Sequence, residues 1–336
     1  MILDLLIFAL NAVMPIIFLI GLGYILKRKG LLTKEFLKTG NKVVFRVLLP
    51  VLLFVNLADM EDFSVLQPEL VLYVICAIGV LFFIGVLLTF FTKDKKQKGV
   101  IHQCVFRSNF ALIGVPLALL LAGDGGVAAA AVLSTFTIPI FNIAAVIALS
   151  VYTGNQSTMG SKIIKIVKDI FKNPLLWGVF AGVLYVCIRP AFTLLPEGVT
   201  ALGGKFTFVW TVLEYLAKAS TPLALLILGG QFEFSHIKGL RKQIIIGVLG
   251  RLVCAPLIGV GGAVLLQKLG VLHFDAGIYA ALVALFVTPV AVSSAIMAEE
   301  MENDGALAGQ LVVWTTLISA VVIFLVIIML RGLGLL

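Results

Sequence analysis

Two segments of the chain set a proline inside an apolar run with small and polar residues close by: FRSNFALIGVP at 106–116, and FVTPVAVSSAIMAEE at 286–300. Proline has no amide hydrogen and its ring collides with the carbonyl one turn back, so a helix containing it kinks or breaks. In lipid, freed carbonyls and amides must be satisfied by protein, water or a ligand. Breaks at Pro116 and Pro289 would each leave a half-helix N-terminus with unpaired N–H groups and partial positive charge. Two such ends facing each other near the membrane midplane favour an anion. The alternative for either proline is a plain kink packed against neighbouring helices.

The flanking residues sharpen this expectation. Asn109 offers amide donors for a carboxylate and an acceptor for its proton, against the plainer role of a helix-to-helix hydrogen bond. Ser108 lies beside it, and Gly114 lets another backbone approach. Around the second proline, Thr288, Ser293 and Ser294 supply hydroxyls. Thr135, Thr137 and Asn142, near Pro139, have counterparts in Gln310, Thr315 and Thr316 that suit the same cavity. The candidate binding set is therefore Asn109, Ser108, Gly114, Pro116, Thr137, Thr288, Pro289 and Ser293.

Charges inside apolar runs are functional candidates by default, and Arg107, Lys218 and Arg251 are the candidate charge partners of a guest. Each has a competing role: Arg107 and Arg251 can snorkel to a surface, and Lys218 is spaced to pair with Glu214 on one helix face. No deeply placed Asp or Glu stands out as a proton carrier, so H+ and Na+ both stay open as coupling ions. His102, His236 and His273 lack metal-ligand spacing, and neither a Walker loop nor a GxSxG elbow is present. The expectation is a non-enzyme without cofactor or bound metal.

These residues must be positioned by membrane helices. Of 336 residues, 61% are hydrophobic and 12% charged, against about 45–50% and about 25% in soluble chains. The mean hydropathy of +1.16 and the excess apolar surface require lipid as solvent. The net charge of +8 does not indicate nucleic acid, because the basic residues sit in short blocks between apolar runs. The four cysteines, Cys76, Cys104, Cys187 and Cys254, read as small buried hydrophobes. A cleaved signal is not expected, since the first apolar run has Asp4 before it and Lys27, Arg28 and Lys29 after it.

Runs long enough to cross a bilayer lie at 5–26, 43–58, 69–91, 104–122, 127–151, 174–190, 209–231, 243–267, 277–297 and 306–330. With ten crossings, the basic blocks at 27–42, 93–98, 162–172 and 238–242 all fall on the cytoplasmic side and both termini face away from it. Asp59, Glu61, Asp62, Asp124, Arg189, Lys205 and Lys268 occupy the alternate loops, and the acidic EEMEND at 299–304 is the one cytoplasmic exception.

VLLPVLLF at 47–54 corresponds to STPLALLI at 220–227, and Pro116 corresponds to Pro289 at nearly the same offset as Pro50 to Pro222. Five spans per half is an odd number, so the second half enters from the opposite face, the inverted repeat found in secondary transporters. The expected organisation is a first five-helix repeat at 1–153, a cytoplasmic linker at 154–173 and a second repeat at 174–336. The small-residue runs AAAAV at 128–132 and GVGGAV at 259–264 suit close packing within one chain or across a homodimer.

RSNFALIGVPLAL at 107–119, LLPVLLF at 48–54, TPLALLILGGQF at 221–232 and FVTPVAVSSAIMAE at 286–299 together resemble the auxin efflux carrier family, in its bacterial branch of malonate and malate permease-like proteins. The resemblance spans nearly the whole chain. It implies an all-α membrane protein of about ten transmembrane helices, two inverted five-helix repeats with broken, crossing fourth and ninth helices, an architecture shared with bile acid transporters. It further implies an elevator-type secondary transporter of small organic anions in the bacterial cytoplasmic (inner) membrane. Spans three to five and eight to ten would slide against spans one, two, six and seven, with Asn109 matching the asparagine near the substrate carboxylate. The chain lacks the long central hydrophilic loop of plant auxin carriers, which argues against auxin itself. A sodium-coupled symporter or cation exchanger on the same scaffold is the alternative.

Overall fold

The computed structural model describes residues 2–58, 68–153, 159–192 and 207–336. Asp59, Glu61, Asp62, Lys205 and the first residues of the expected linker lie outside them. The described chain is helical: α1 (Ile2–Arg28), α2 (Lys34–Val43), α3 (Leu49–Ala58), α4 (Pro68–Thr89), α5 (Lys95–Phe106), α6 (Val115–Ser150), α7 (Met159–Lys172), α8 (Pro174–Phe192), α9 (Thr207–Gln231), α10 (His236–Leu249), α11 (Gly262–Lys268), α12 (Ala276–Phe286), α13 (Ser293–Glu300) and α14 (Gly305–Gly332). Extended pairing among the described residues is confined to an antiparallel bridge between Ser108 and Val290.

Among the described residues, six helical stretches are long and apolar enough to cross a membrane alone, and the residues 163–172 and 174–188, bent by 65°, pass the same test only as a pair. At 12, 11 and 8 residues, α5, α12 and α13 fall short of the roughly 20 a crossing needs. Phe18, Phe83, Leu87, Leu257 and Leu325 point outward and exposed, as side chains that face lipid do. On α7, Ile163, Ile164, Val167 and Phe171 form an exposed apolar face, with lysines at 165, 168 and 172, the pattern of a helix lying in the membrane interface.

Proline is absorbed in an unexpected way. Three π-helical turns, Val44–Leu48, Phe110–Gly114 and Gly250–Cys254, each end two residues before a proline, namely Pro50, Pro116 and Pro256. A proline ring collides with the carbonyl four residues back, and widening that turn moves the carbonyl away, so the helix passes through. The break expected at Pro116 therefore lies elsewhere: helix stops at Phe106 and resumes at Phe110, about two turns earlier. At the second site, Pro289 sits inside the interruption between α12 and α13. Long α6 is also kinked at Ala122 (φ −141°) and Gly123 (φ +57°), where its dihedrals leave the helical range. A left-handed φ there suits glycine, which has no Cβ to clash.

The buried core has two main clusters. In one, Leu81 of α4, Phe106 of α5, Leu117 and Leu133 of α6, Leu282 and Phe286 of α12 and Ile327 of α14 pack together. In the other, Ile20 of α1, Leu48, Leu175 of α8, Leu228 of α9, Met297 of α13 and Leu311 of α14 do so. Helices α1 and α9 meet backbone to backbone, because a Cβ on Gly23 or Gly229 would strike the carbonyl oxygen of Leu226 or Ile20. The small-residue runs are used inside the chain: Ala130 is buried and Gly259 lies against the Phe286 ring.

Candidate functional site

The two interruptions meet. The Asn109 amide donates to the Pro289 carbonyl (2.8 Å) and the Ala291 amide donates to the Arg107 carbonyl (3.3 Å), which stitches 107–109 to 289–291 in antiparallel fashion. Thr315 of α14 accepts the Val290 amide at its Oγ1 (3.3 Å). These bonds satisfy backbone groups that neither helix can pair internally. Gly114 makes the approach feasible: a Cβ there would lie 2.7 Å from the Ala284 carbonyl oxygen of α12.

Beside this junction is a cavity of about 100 Å³. Its polar lining comes from Arg107, Ser108, Asn109, Asn142 and Ser293 on one side. Opposite stand α3, α8 and α9, contributing Leu49, Leu52, Leu53, Leu175 and Ala224, with Asn56 and Thr221 as their polar members. Among the described residues, no carboxylate lines the cavity.

Arg107 is 3% exposed. Its guanidinium donates to Asn142 Oδ1 (3.0 Å), Ser293 Oγ (3.1 Å) and, weakly, Gln103 Oε1 (3.5 Å), and touches the Met297 sulfur. All these partners are neutral. The snorkelling alternative is thus not the observed geometry: the side chain stays inside and holds α5, α6 and α13 together. Asn142 passes its own amide to the Ile138 carbonyl (2.8 Å), so its oxygen is fixed toward Arg107. The Asn109 Nδ2 donor and the Ser108 hydroxyl are buried and have no protein partner.

The other expected residues divide. Ser293 joins the cavity, whereas Pro116 lines a neighbouring vestibule of about 870 Å³ with Glu214, Lys218, Pro15 and Pro222. Lys218 pairs with Glu214 at 2.8 Å there, as their spacing implied. That vestibule abuts the cavity through Leu52, Asn56, Leu112 and Thr221. Thr137 is buried with its hydroxyl unpartnered, away from the cavity lining. The Thr288 hydroxyl donates to the Ala284 carbonyl (2.8 Å), and Pro289 contributes its carbonyl to the stitch. Arg251 does not line the cavity: its guanidinium is fully buried against backbone carbonyls. Near the other end, a vestibule of about 880 Å³ is lined by Arg46, Lys95, Lys96, Lys165 and Lys172 together with Asp169, Glu300 and Glu302.

Sequence reasoning passed over Gln103, Asn56 and Thr221. Gln103 sits one turn before Arg107 and donates to the Ser294 carbonyl (3.1 Å), a spacing that an i, i+4 search would have caught. Asn56 and Thr221 are lone polar residues in apolar helices, with no signal of their own. Among the described residues no group of three His, Cys, Asp or Glu side chains converges as for a metal.

Residues 8–327 match the model of a family described as membrane transport protein. An uncharacterized transporter of Methanothermobacter thermautotrophicus is 28% identical over 317 residues, covering 93% of this chain and 95% of its own. An uncharacterized transporter of Methanocaldococcus jannaschii is 25% identical over 225 residues, 66% of this chain and 68% of its own.

Proposed function

Since the chain belongs to the membrane transport protein family, the auxin efflux carrier family its motifs resemble, we propose that it is a secondary carrier of small organic anions working by alternating access. One observation carries this reading: a buried guanidinium, Arg107, stands at a small cavity with only neutral partners. A buried unpaired charge costs several kcal/mol, and a guest carboxylate would relieve that cost. The unpartnered Asn109 Nδ2 and the Ser108 hydroxyl complete a donor set for it. The helical turn that starts at Phe110 adds the positive end of its dipole. A cavity of about 100 Å³ suits a guest of few heavy atoms, such as a mono- or dicarboxylate. A cation exchanger would need an acid at this place, and the lining residues supply none.

The division of the cavity wall supports an elevator. Recognition groups cluster on α5, α6 and α13, while the facing α3, α8 and α9 offer a mostly leucine surface. A guest held by the first set can slide past the second without exchanging hydrogen bonds. On this reading α5 with the turn after it, and α12 with α13, each complete one crossing, which gives ten crossings as inverted repeats over 1–153 and 174–336 with both termini extracytoplasmic. The basic vestibule then faces the cytoplasm and raises the local concentration of anions.

Purified protein in proteoliposomes tests the reading with labelled small carboxylates and their amide analogues. Saturable carboxylate flux that amides neither match nor inhibit is expected; equal transport of neutral amides or of cations sinks it.

A further inference from the structure

The half-helices α5 and α12 both end at the junction, and carbonyls at and just beyond their ends point into one spot. A helix C-terminus carries unpaired carbonyls and about half a negative charge. Two of them brought together in a medium without water repel, unless a cation sits between. Half-helix C-termini and unwound carbonyls are what transporters of related construction use to hold a coupling sodium ion or proton.

Here the spot is filled by a side chain. Arg251, 0% exposed, donates from Nε to the Thr288 carbonyl (2.9 Å) and from Nη2 to the Leu285 carbonyl (2.9 Å). Its Nη1 reaches the carbonyls of Phe106 (3.3 Å) and Val105 (3.4 Å). The ends of α5 and α12 thus share one guanidinium. It has no carboxylate among its hydrogen-bond partners, and the negative charge it answers is that of the two helix ends. The reach is built into the chain: a π-helical turn at Gly250–Cys254 and the packing of Gly250 on Val105 and Leu88 set Arg251 against the junction.

We propose that the carbonyls of Val105, Phe106, Leu285 and Thr288 form a cation site whose permanent occupant is the Arg251 guanidinium. The chain carries its own cation at the place where a mobile one would otherwise bind. This deepens the anion-carrier reading and rests on it in one respect: sodium does not drive the carrier through this site. Arg251 is a positioning residue; it holds the two interruptions together and leaves recognition to Arg107 and Asn109.

The experiment measures thermal unfolding of the purified, detergent-solubilised full chain in chloride salts of sodium, potassium, choline and millimolar guanidinium, for the wild type, Arg251→Ala and Arg251→Lys. The wild type is expected to melt at one temperature in all four. Arg251→Ala should melt roughly 10 °C lower and regain most of that loss with guanidinium, or with one of the small cations, while Arg251→Lys stays near the wild type without responding to salt. Should Arg251→Ala not fold, Arg251→Gln carries the same comparison, uncharged and of similar reach. Selective stabilisation of the wild type by sodium overturns the proposal. So does a low-melting Arg251→Ala or Arg251→Gln that no added cation restores, or one that melts like the wild type. Melting does not depend on flux: rescue without anion transport removes the carrier reading alone, and anion transport with a sodium-stabilised wild type removes this inference alone.

Discussion

The interruption at 107–109 and the one at 287–292 use the same backbone device and load it with different chemistry. Each ends a half-helix, crosses the other through main-chain hydrogen bonds, and starts a new helix. The first presents Arg107, Ser108 and Asn109 to the cavity. The second, with the first residue of α13, presents Ala291, Val292 and Ser293, so apart from one hydroxyl it offers little but backbone. Its proline lies inside the gap, while Pro116 lies about two turns beyond the other gap, in continuous helix behind a widened turn. Shape is therefore common to both interruptions, while most of the polar side chains that line the cavity belong to one.

That asymmetry can be broken by substitution. Arg107→Gln keeps a hydrogen-bonding side chain and removes the charge; carboxylate flux should fall about 100-fold in kcat/KM, the scale of losing one partner of a buried charge pair. Unchanged flux would place the guest elsewhere. Asn109→Ala removes an unpartnered donor and should cost about tenfold in the same assay. Ser293→Ala, the side-chain contribution of the second interruption, should cost about fivefold, since its oxygen only supports Arg107. An effect larger than that of Asn109→Ala would reverse the assignment of roles. The smallest effect belongs to Pro116→Ala, expected to leave flux within about twofold and melting nearly unchanged, because the helix there is already continuous. A loss of flux on the Arg107→Gln scale would restore Pro116 to the site.

The membrane class, the helical fold and the meeting of two interrupted segments were legible in the sequence, because long apolar runs and paired prolines are local signals. The position of the first break was not, since a helix can pass through a proline, and at Pro116 it does so behind the widened turn Phe110–Gly114. The polar triplet at 107–109 was the better marker. The sequence allows Arg251 to snorkel to a surface, whereas its guanidinium is fully buried on main-chain carbonyls. Which carbonyls it meets depends on helices far apart in sequence, as does the pairing of Arg107 with Asn142 and Ser293.

The stitch between 107–109 and 289–291 is made of main-chain atoms, and this has an evolutionary reading. Side chains at Ser108 and Asn109 can be exchanged without touching the hydrogen bonds that keep the crossing in register. If these two residues meet the guest as proposed, a new cargo asks for a change in a dipeptide, against a frame that two carbonyls and two amides hold still.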